Sequence, residues 1–376
     1  MTATRWAAAL TAGVLATCAL SAQAPAAKPA KPSNAPYLKL AEPWPDAAAR
    51  LQRKTEAEGR PLFSTETPLA ITIRADFKAV NKDRFENSAA RYPATIAVAG
   101  SEAAIPADLG SRGHFRLKSH VCTWVPLRVM FKREQVAGTV FEGQSSLKLV
   151  THCQDNDNFE QHVLREYLPY RIYALLSPLA FRARLAKVTY VESATGKALT
   201  TRYGMFIEDD GDVARRAGMR AVDLPHVLFK DLDQESLATM ALFEYMIANT
   251  DVSILKLHNV KLFVTEQRTI YPVPYDFDFS GLVDTPYANP DARLGIGSVR
   301  NRLYRGPCWS NAEFTPVLEK FRARKADIFT LYDSLPDLNQ NYRKQARSYL
   351  EEFYSAIEPA RVKKTLIDSC QHAPGM

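Results

Sequence analysis

The hydrophobic period of this chain changes near Asp212, and that change limits its possible folds more than any other feature. Before it, apolar residues recur at every second position in short runs bounded by turn residues, as in strands with one buried face. Leu69-Ala70-Ile71-Thr72-Ile73 alternates in this way, and residues 94–98, 114–118 and 141–150 are further strand candidates. One helical stretch starts near Asn158. Leu164, Tyr167, Leu168, Ile172 and Leu175 share a face there, and Pro169 predicts a kink. Residues 181–185 and 201–208 alternate on either side of Ala194-Thr195-Gly196-Lys197, which predicts a hairpin. After Asp212 helices dominate. Residues 235–248 are apolar nearly all round, as in a buried helix, with Asp231 or Asp233 as cap. Residues 259–264 and 269–275 form a short hairpin whose second arm Pro272 and Pro274 confine to a sheet edge. Residues 312–335, 338–357 and 359–369 complete the helical part.

The first residues belong to export rather than to the fold. Arg5 precedes a run of small and apolar residues that ends in Ala22-Gln23-Ala24, the pattern of a secretory signal peptide without a twin arginine. Thr17 argues against lipidation at Cys18, and no later segment is apolar enough to span a bilayer. The expected organisation is a signal peptide over residues 1–24, then a Pro/Ala/Lys-rich linker with a short polar helix over 25–60. A β-rich part over 61–208 and a mainly helical part over 209–376 follow. Export leaves Cys122, Cys153, Cys308 and Cys370, which permit three disulfide pairings that sequence does not separate. No Cys-x-x-Cys or His-x-x-x-His spacing supports zinc. A net charge of +7, from 48 basic and 41 acidic residues without a like-charge run, points away from nucleic acid.

Four features carry possible chemistry. Lys148 lies within Leu147-Lys148-Leu149-Val150; on an edge strand it would face solvent, but on a central strand it needs an anionic partner. Glu166 follows on the helix. Asn249-Thr250-Asp251 closes the buried helix and His258-Asn259 opens a strand, which suits a proton acceptor beside a metal ligand. Finally, Pro274-Tyr275-Asp276-Phe277-Asp278-Phe279-Ser280-Gly281 alternates acids with aromatics. Burying Phe277 and Phe279 would turn Asp276 and Asp278 the same way, as in a divalent-cation clasp. Taken in order, these are the parts of phosphoryl transfer: a cation for the phosphates, Asn and Asp for metal ions, and an Asp for the attacking hydroxyl. Arg112, Arg116 and Arg128 are further phosphate candidates. Thr195-Gly196-Lys197-Ala198 is a poor P-loop match, and Glu208-Asp209-Asp210-Gly211-Asp212 and Asp155-Asn156-Asp157 do not continue as EF-hand loops.

Several stretches together resemble the spore-coat protein H (CotH) kinase-like family, in its exported bacterial branch. They are Arg112-Gly113-His114-Phe115-Arg116, Cys122-Thr123-Trp124-Val125-Pro126-Leu127, residues 143–153, Glu166-Tyr167, Phe206-Ile207-Glu208-Asp209, Asn249-Thr250-Asp251, His258-Asn259 and Pro274-Tyr275-Asp276-Phe277-Asp278. The resemblance implies an α+β, two-lobed protein-kinase-like fold, with a β-rich N-lobe carrying one long helix and a mainly helical C-lobe. It implies ATP with Mg²⁺ or Mn²⁺ as the cofactor set, and a protein or small-molecule hydroxyl as acceptor. Lys148 would hold the phosphates and Glu166 would fix it. Phe206, Ile207 and Glu208 would form the adenine-facing hinge. Asp251 would be the catalytic base, and Asn259 with Asp276 would hold the metal, with Asp278 in reserve. No Gly-x-Gly-x-x-Gly precedes Lys148, and Asp251 and Asn259 are eight residues apart, more than in the usual kinase loop. The alternatives are a catalytically silent kinase-like binding module in the cell envelope and an acid-pair hydrolase using Asp276 and Asp278.

Overall fold

Strand β1 (Leu69–Ala75) buries Leu69, Ile71, Ile73 and Ala75 and leaves the residues between them at least partly exposed. It pairs antiparallel with β2 (Tyr92–Val98) on one side and parallel with β6 (Ala183–Glu192) on the other. With β3 (Ala104–Ser111), β4 (Leu127–Met130), β5 (Ser146–Val150) and β7 (Ala198–Ile207), these strands close into a seven-stranded barrel of order β1-β2-β3-β4-β5-β7-β6. The computed structural model describes residues 35–101, 103–368 and 370, so the expected signal peptide lies outside the described residues.

This closure overturns the expected two-lobed protein-kinase-like fold. Instead of a separate β-rich N-lobe and helical C-lobe, the described residues from 36 onward form one compact unit around a closed mixed barrel, with nine helices among them. The parallel β1–β6 pairing that seals the barrel joins segments more than a hundred residues apart, and no local pattern announces it. Two wall strands also lack a clear signal: β3 contains Pro106 and Gly110, and β4 has only four residues. Residues 114–118, expected as a strand, include a 3₁₀ turn over Phe115–Leu117.

Other local expectations hold. The β6–β7 hairpin turns through Gly196, whose φ of 71° suits glycine. Helix α4 (Asp157–Leu176) contains Pro169 and is capped by Asn156, whose side chain accepts from the Phe159 N–H at 3.1 Å. Helix α6 (Gln234–Ile247) is buried on nearly every side and capped by Asp233. Strand β10 (Ile270–Pro274) is an edge of the small sheet β10-β9-β8, with β9 at Val260–Val264 and β8 at Arg220–Val222. The remaining helices are α1 (Ala35–Ala41), α2 (Ala47–Glu58), α3 (Phe77–Lys82), α5 (Asp210–Arg216), α7 (Asn311–Ala323), α8 (Lys325–Asp333) and α9 (Gln340–Ala356).

Two apolar cores share the barrel wall. Ile71, Ile96, Val129, Leu149, Val188 and Phe206 fill the barrel, while α4, α6 and the C-terminal helices build the second core. Strands β5 and β7 face both. In their register, Leu149 opposes Phe206 on the inner face and Lys148 opposes Ile207 on the outer face. Lys148 therefore points out of the barrel, toward the helical part.

Cys122 is bonded to Cys153 and Cys308 to Cys370, one of the three pairings open to the sequence. Together with the absence of any helix long and apolar enough to cross a membrane among the described residues, this is compatible with an exported protein.

Candidate functional site

Three loops and one helix bring charged side chains to a cavity of about 290 Å³. The loop after β3 supplies Arg112 and Arg116, and α4 supplies Glu166. The loop between α6 and β9 supplies Asp251, His258 and Asn259, and the segment after β10 supplies Asp276 and Asp278. Five of the residues expected from sequence thus share one cavity: Glu166, Asp251, Asn259, Asp276 and Asp278.

The backbone here is held in unusual conformations. Ala248, Leu257, Asn259 and Asp276 all have positive φ, at 53°, 50°, 56° and 66°. Asn and Asp tolerate this region, whereas Ala and Leu do so at an energetic cost, and such strain concentrates where surrounding packing fixes a functional loop. Asp276 also breaks the expected strand alternation. Phe277 is fully buried against Tyr170 and Phe243, with ring centroids at 4.7 and 5.4 Å, while Phe279 is only partly buried. Both aspartates still reach the cavity, because the left-handed residue re-aims the chain.

Asp251 is firmly positioned. The Asn259 amide donates to the Asp251 carbonyl at 2.7 Å and to its Oδ2 at 3.1 Å, and His258 Nε2 lies 3.2 Å from Oδ1. That bond raises the His258 pKa, against the effect of burial. The eight-residue spacing of Asp251 and Asn259 is accommodated by a loop that returns through an antiparallel bridge between Ser253 and His258.

The acids crowd one another. Burial, with Asp278 and Asp276 nearby, raises the Glu166 pKa well above the usual carboxyl range. Burial and Asp276 push Asp278 up to about 7, while Arg116 and a 2.8 Å hydrogen bond from the Tyr287 hydroxyl act the other way. Burial works against the Arg116 charge, but Tyr287, Asp278, Glu166 and Asp276 more than offset it. Its guanidinium donates to the Thr151 carbonyl, and its Nε is buried without a hydrogen-bond partner. Tyr170, one helical turn beyond Glu166, accepts a 3.0 Å hydrogen bond from the Asp276 N–H. Its i+4 spacing from Glu166 was the readable signal for it; Tyr287 had none.

Lys148 stands beside this cavity rather than in its lining. Its Nζ lies 4.8 Å from the Tyr275 ring centroid, and it makes no ion pair with Glu166. Burial, aided by Arg112, pushes the Lys148 ammonium down to about 8, with Asp210 and Asp276 opposing. The expected hinge residues lie elsewhere. Phe206 is buried in the barrel, and β7 is laddered on both sides through Ile207. Glu208 is fully buried and held by Arg182 Nε at 2.9 Å and Arg216 Nη2 at 3.1 Å. Arg128 opposes Lys148 in register but is exposed. The acidic runs have structural roles: Asp209 caps α5 and Asp210 pairs with Lys261, while Asp155 and Asp157 hold Arg202.

No protein-family model matches this chain, and neither a curated protein nor a solved structure gives a significant match.

The donor set suits a hard divalent cation. Asn259, Asp276 and Asp278 offer oxygens, and the pKa values of Glu166 and Asp278 are raised first by burial and then by the neighbouring acids. Among the described residues no group of three or more His, Cys, Asp and Glu side chains can enclose a metal alone.

Proposed function

We propose that this protein is a CotH-like phosphotransferase that binds ATP with Mg²⁺ or Mn²⁺ and transfers the γ-phosphate to a protein or small-molecule hydroxyl. One observation carries the reading. A carboxylate set, an Asn-braced aspartate and two arginines, from segments well separated in sequence, face one cavity with a desolvated lysine at its edge. Phosphoryl transfer asks the protein for little more than this: positioning and charge.

In this reading Arg112, Arg116 and Lys148 hold phosphate oxygens, and the buried, unpartnered Arg116 Nε is the donor left for that task. Asn259, Asp276 and Asp278 would hold the cation, which would neutralise charge on the phosphates. Asp251 accepts the proton of the attacking hydroxyl, and Asn259 and His258 fix its orientation. The resemblance is retained for these residues and not for the chain fold.

A second reading, nucleotide binding without turnover, is favoured by one observation: Lys148 and Glu166 form no ion pair. The two readings separate in one experiment. The full chain is titrated with ATP and Mg²⁺ or Mn²⁺, while melting and phosphate transfer are followed. A ligand at a hundred times its dissociation constant stabilises by about 2.7 kcal/mol. The expected result is that wild type shifts and turns over, whereas Asp251→Asn shifts but does not turn over. A shift without turnover in wild type supports the second reading, and no shift with any nucleotide sinks both.

A further inference from the structure

A second cavity, of about 760 Å³, lies away from the acids, between α2 and α5. Its lining holds seven basic side chains against two acidic ones, Glu42 and Glu56. The register of α2 explains part of this. Arg50, Arg53 and Ala57 recur at helical spacing on the face that buries Ala57, and Arg60 continues the row just beyond the helix.

The buried Asp212 of α5, outside the lining, holds two of these guanidinium groups. Its Oδ1 receives Arg60 Nη2 at 3.0 Å and Arg215 Nε at 3.1 Å, so one carboxylate serves two guanidinium groups. Burial lowers the Arg60 pKa, and Arg215 and Arg133 add repulsion. Arg53 and Arg133 are exposed, and their side chains make no ion pair or hydrogen bond among the described residues. Even with Asp212 and the Arg50 partner Glu266 counted, positive charges outnumber carboxylates by three.

Like charges gathered in a concave surface focus a positive potential, and the arrangement is stabilised by whatever anion neutralises it. Guanidinium forks match tetrahedral phosphate oxygens two at a time, and a cavity of this volume exceeds the needs of one phosphate. We propose that this cavity is a second ligand site, independent of the acidic one, for a linear oligophosphate that Arg53, Arg60 and Arg133 engage.

The test uses calorimetric titration of the full chain carrying Lys148→Met, without divalent metal, so that the grip on phosphate at the acidic site is weakened, and the Arg53 and Arg133 variants read what remains. Inorganic tripolyphosphate is the probe. The expected result is binding that weakens at least tenfold when Arg53→Ala and Arg133→Ala are added, and that also weakens as salt rises. The paired Arg53→Gln and Arg133→Gln variant repeats the measurement should the alanine pair melt early. Unchanged affinity in the double variant, no binding by the Lys148→Met chain, or equal affinity for citrate overturns the proposal. None of these outcomes touches the ATP titration of the otherwise wild-type chain, so the two readings fail separately.

Discussion

At the scale of single residues, this protein keeps ionisable groups where burial disfavours their charge. Lys148 is the plainest case, with its ammonium pushed down to about 8 by burial and by Arg112. A lysine with a depressed folded-state pKa supports folding fully only above its unfolded value near 10.5, and loses that support as pH falls through about 8. At neutral pH it is therefore a liability for stability. Lys148→Met is expected to raise stability at pH 7 by on the order of 1–3 kcal/mol and to abolish the nucleotide-dependent shift. Chemical denaturation with and without ATP reads both effects, and a variant less stable than wild type contradicts the burial argument. Glu244, buried in α6 behind the Asp251 loop, has the opposite sign. Burial raises its pKa from 4.5 to about 8, while the neighbouring Asn249 works the other way. Its contribution is complete below about pH 4.5 and lost as pH rises through 8. Glu244→Gln is expected to match wild type in acid and to exceed it by a few kcal/mol at pH 8.5, on the order set by such a shift. Parallel melting curves for the two proteins across this range would rule that out.

At the scale of elements, the loop that carries Arg112 and Arg116 has little secondary structure and is held by cross-links instead. Arg84 donates to the carbonyls of Leu117, Cys122 and Thr123, and the N–H groups of Thr123 and Trp124 both donate to the Cys153 carbonyl. The Cys122–Cys153 disulfide ties the same loop to the end of β5 across a separation of 31 residues. Replacing both cysteines by serine is expected to cost about 2–4 kcal/mol. It should also reduce the nucleotide-dependent shift, because the Arg116 contact to Thr151 spans the same junction. A variant that loses stability but binds nucleotide as tightly as wild type would limit the disulfide to a structural role. This loop also marks where the sequence stops being readable. Strong local periodicity places β1, α4, the β6–β7 hairpin and α6, and the Pro-rich arm belongs at an edge because proline lacks a ladder donor. Residues 114–118 share the strand's alternation but form a 3₁₀ turn, because the local pattern cannot register that the loop is pinned from outside. Within the site, Asp251, Asn259, Asp276 and Asp278 are legible as polar residues at the ends of apolar elements, and Glu166 as an acid within the apolar helix α4. The separation of Lys148 from Glu166 is not, since it depends on which face of a closed barrel β5 presents.

At the scale of the whole molecule, the barrel supplies a rigid wall on which the helical part builds its half of the cavity. The wall is shared: β7 sends Phe206 inward, against Phe141 at 5.6 Å, and sends Met205 and Ile207 outward into the core of α4 and α6. Closure adds to this coupling, because a barrel without a free edge cannot lose β7 and remain a barrel. Neither core is therefore expected to melt alone. The tryptophans make the point testable, since Trp124 packs on the barrel core and Trp309 on the helical one. Single-tryptophan versions should report one coincident denaturant transition. Phe206→Ala should lower both reports together, by about 3–5 kcal/mol for a fully buried phenylalanine. Were the Trp124 signal to fall well before that of Trp309, the barrel would be an autonomous unit. The candidate site would then straddle a junction that opens independently of either core, and ATP would be expected to raise the midpoint of the helical transition alone. A single transition that moves as one, with and without ligand, is what the shared wall requires.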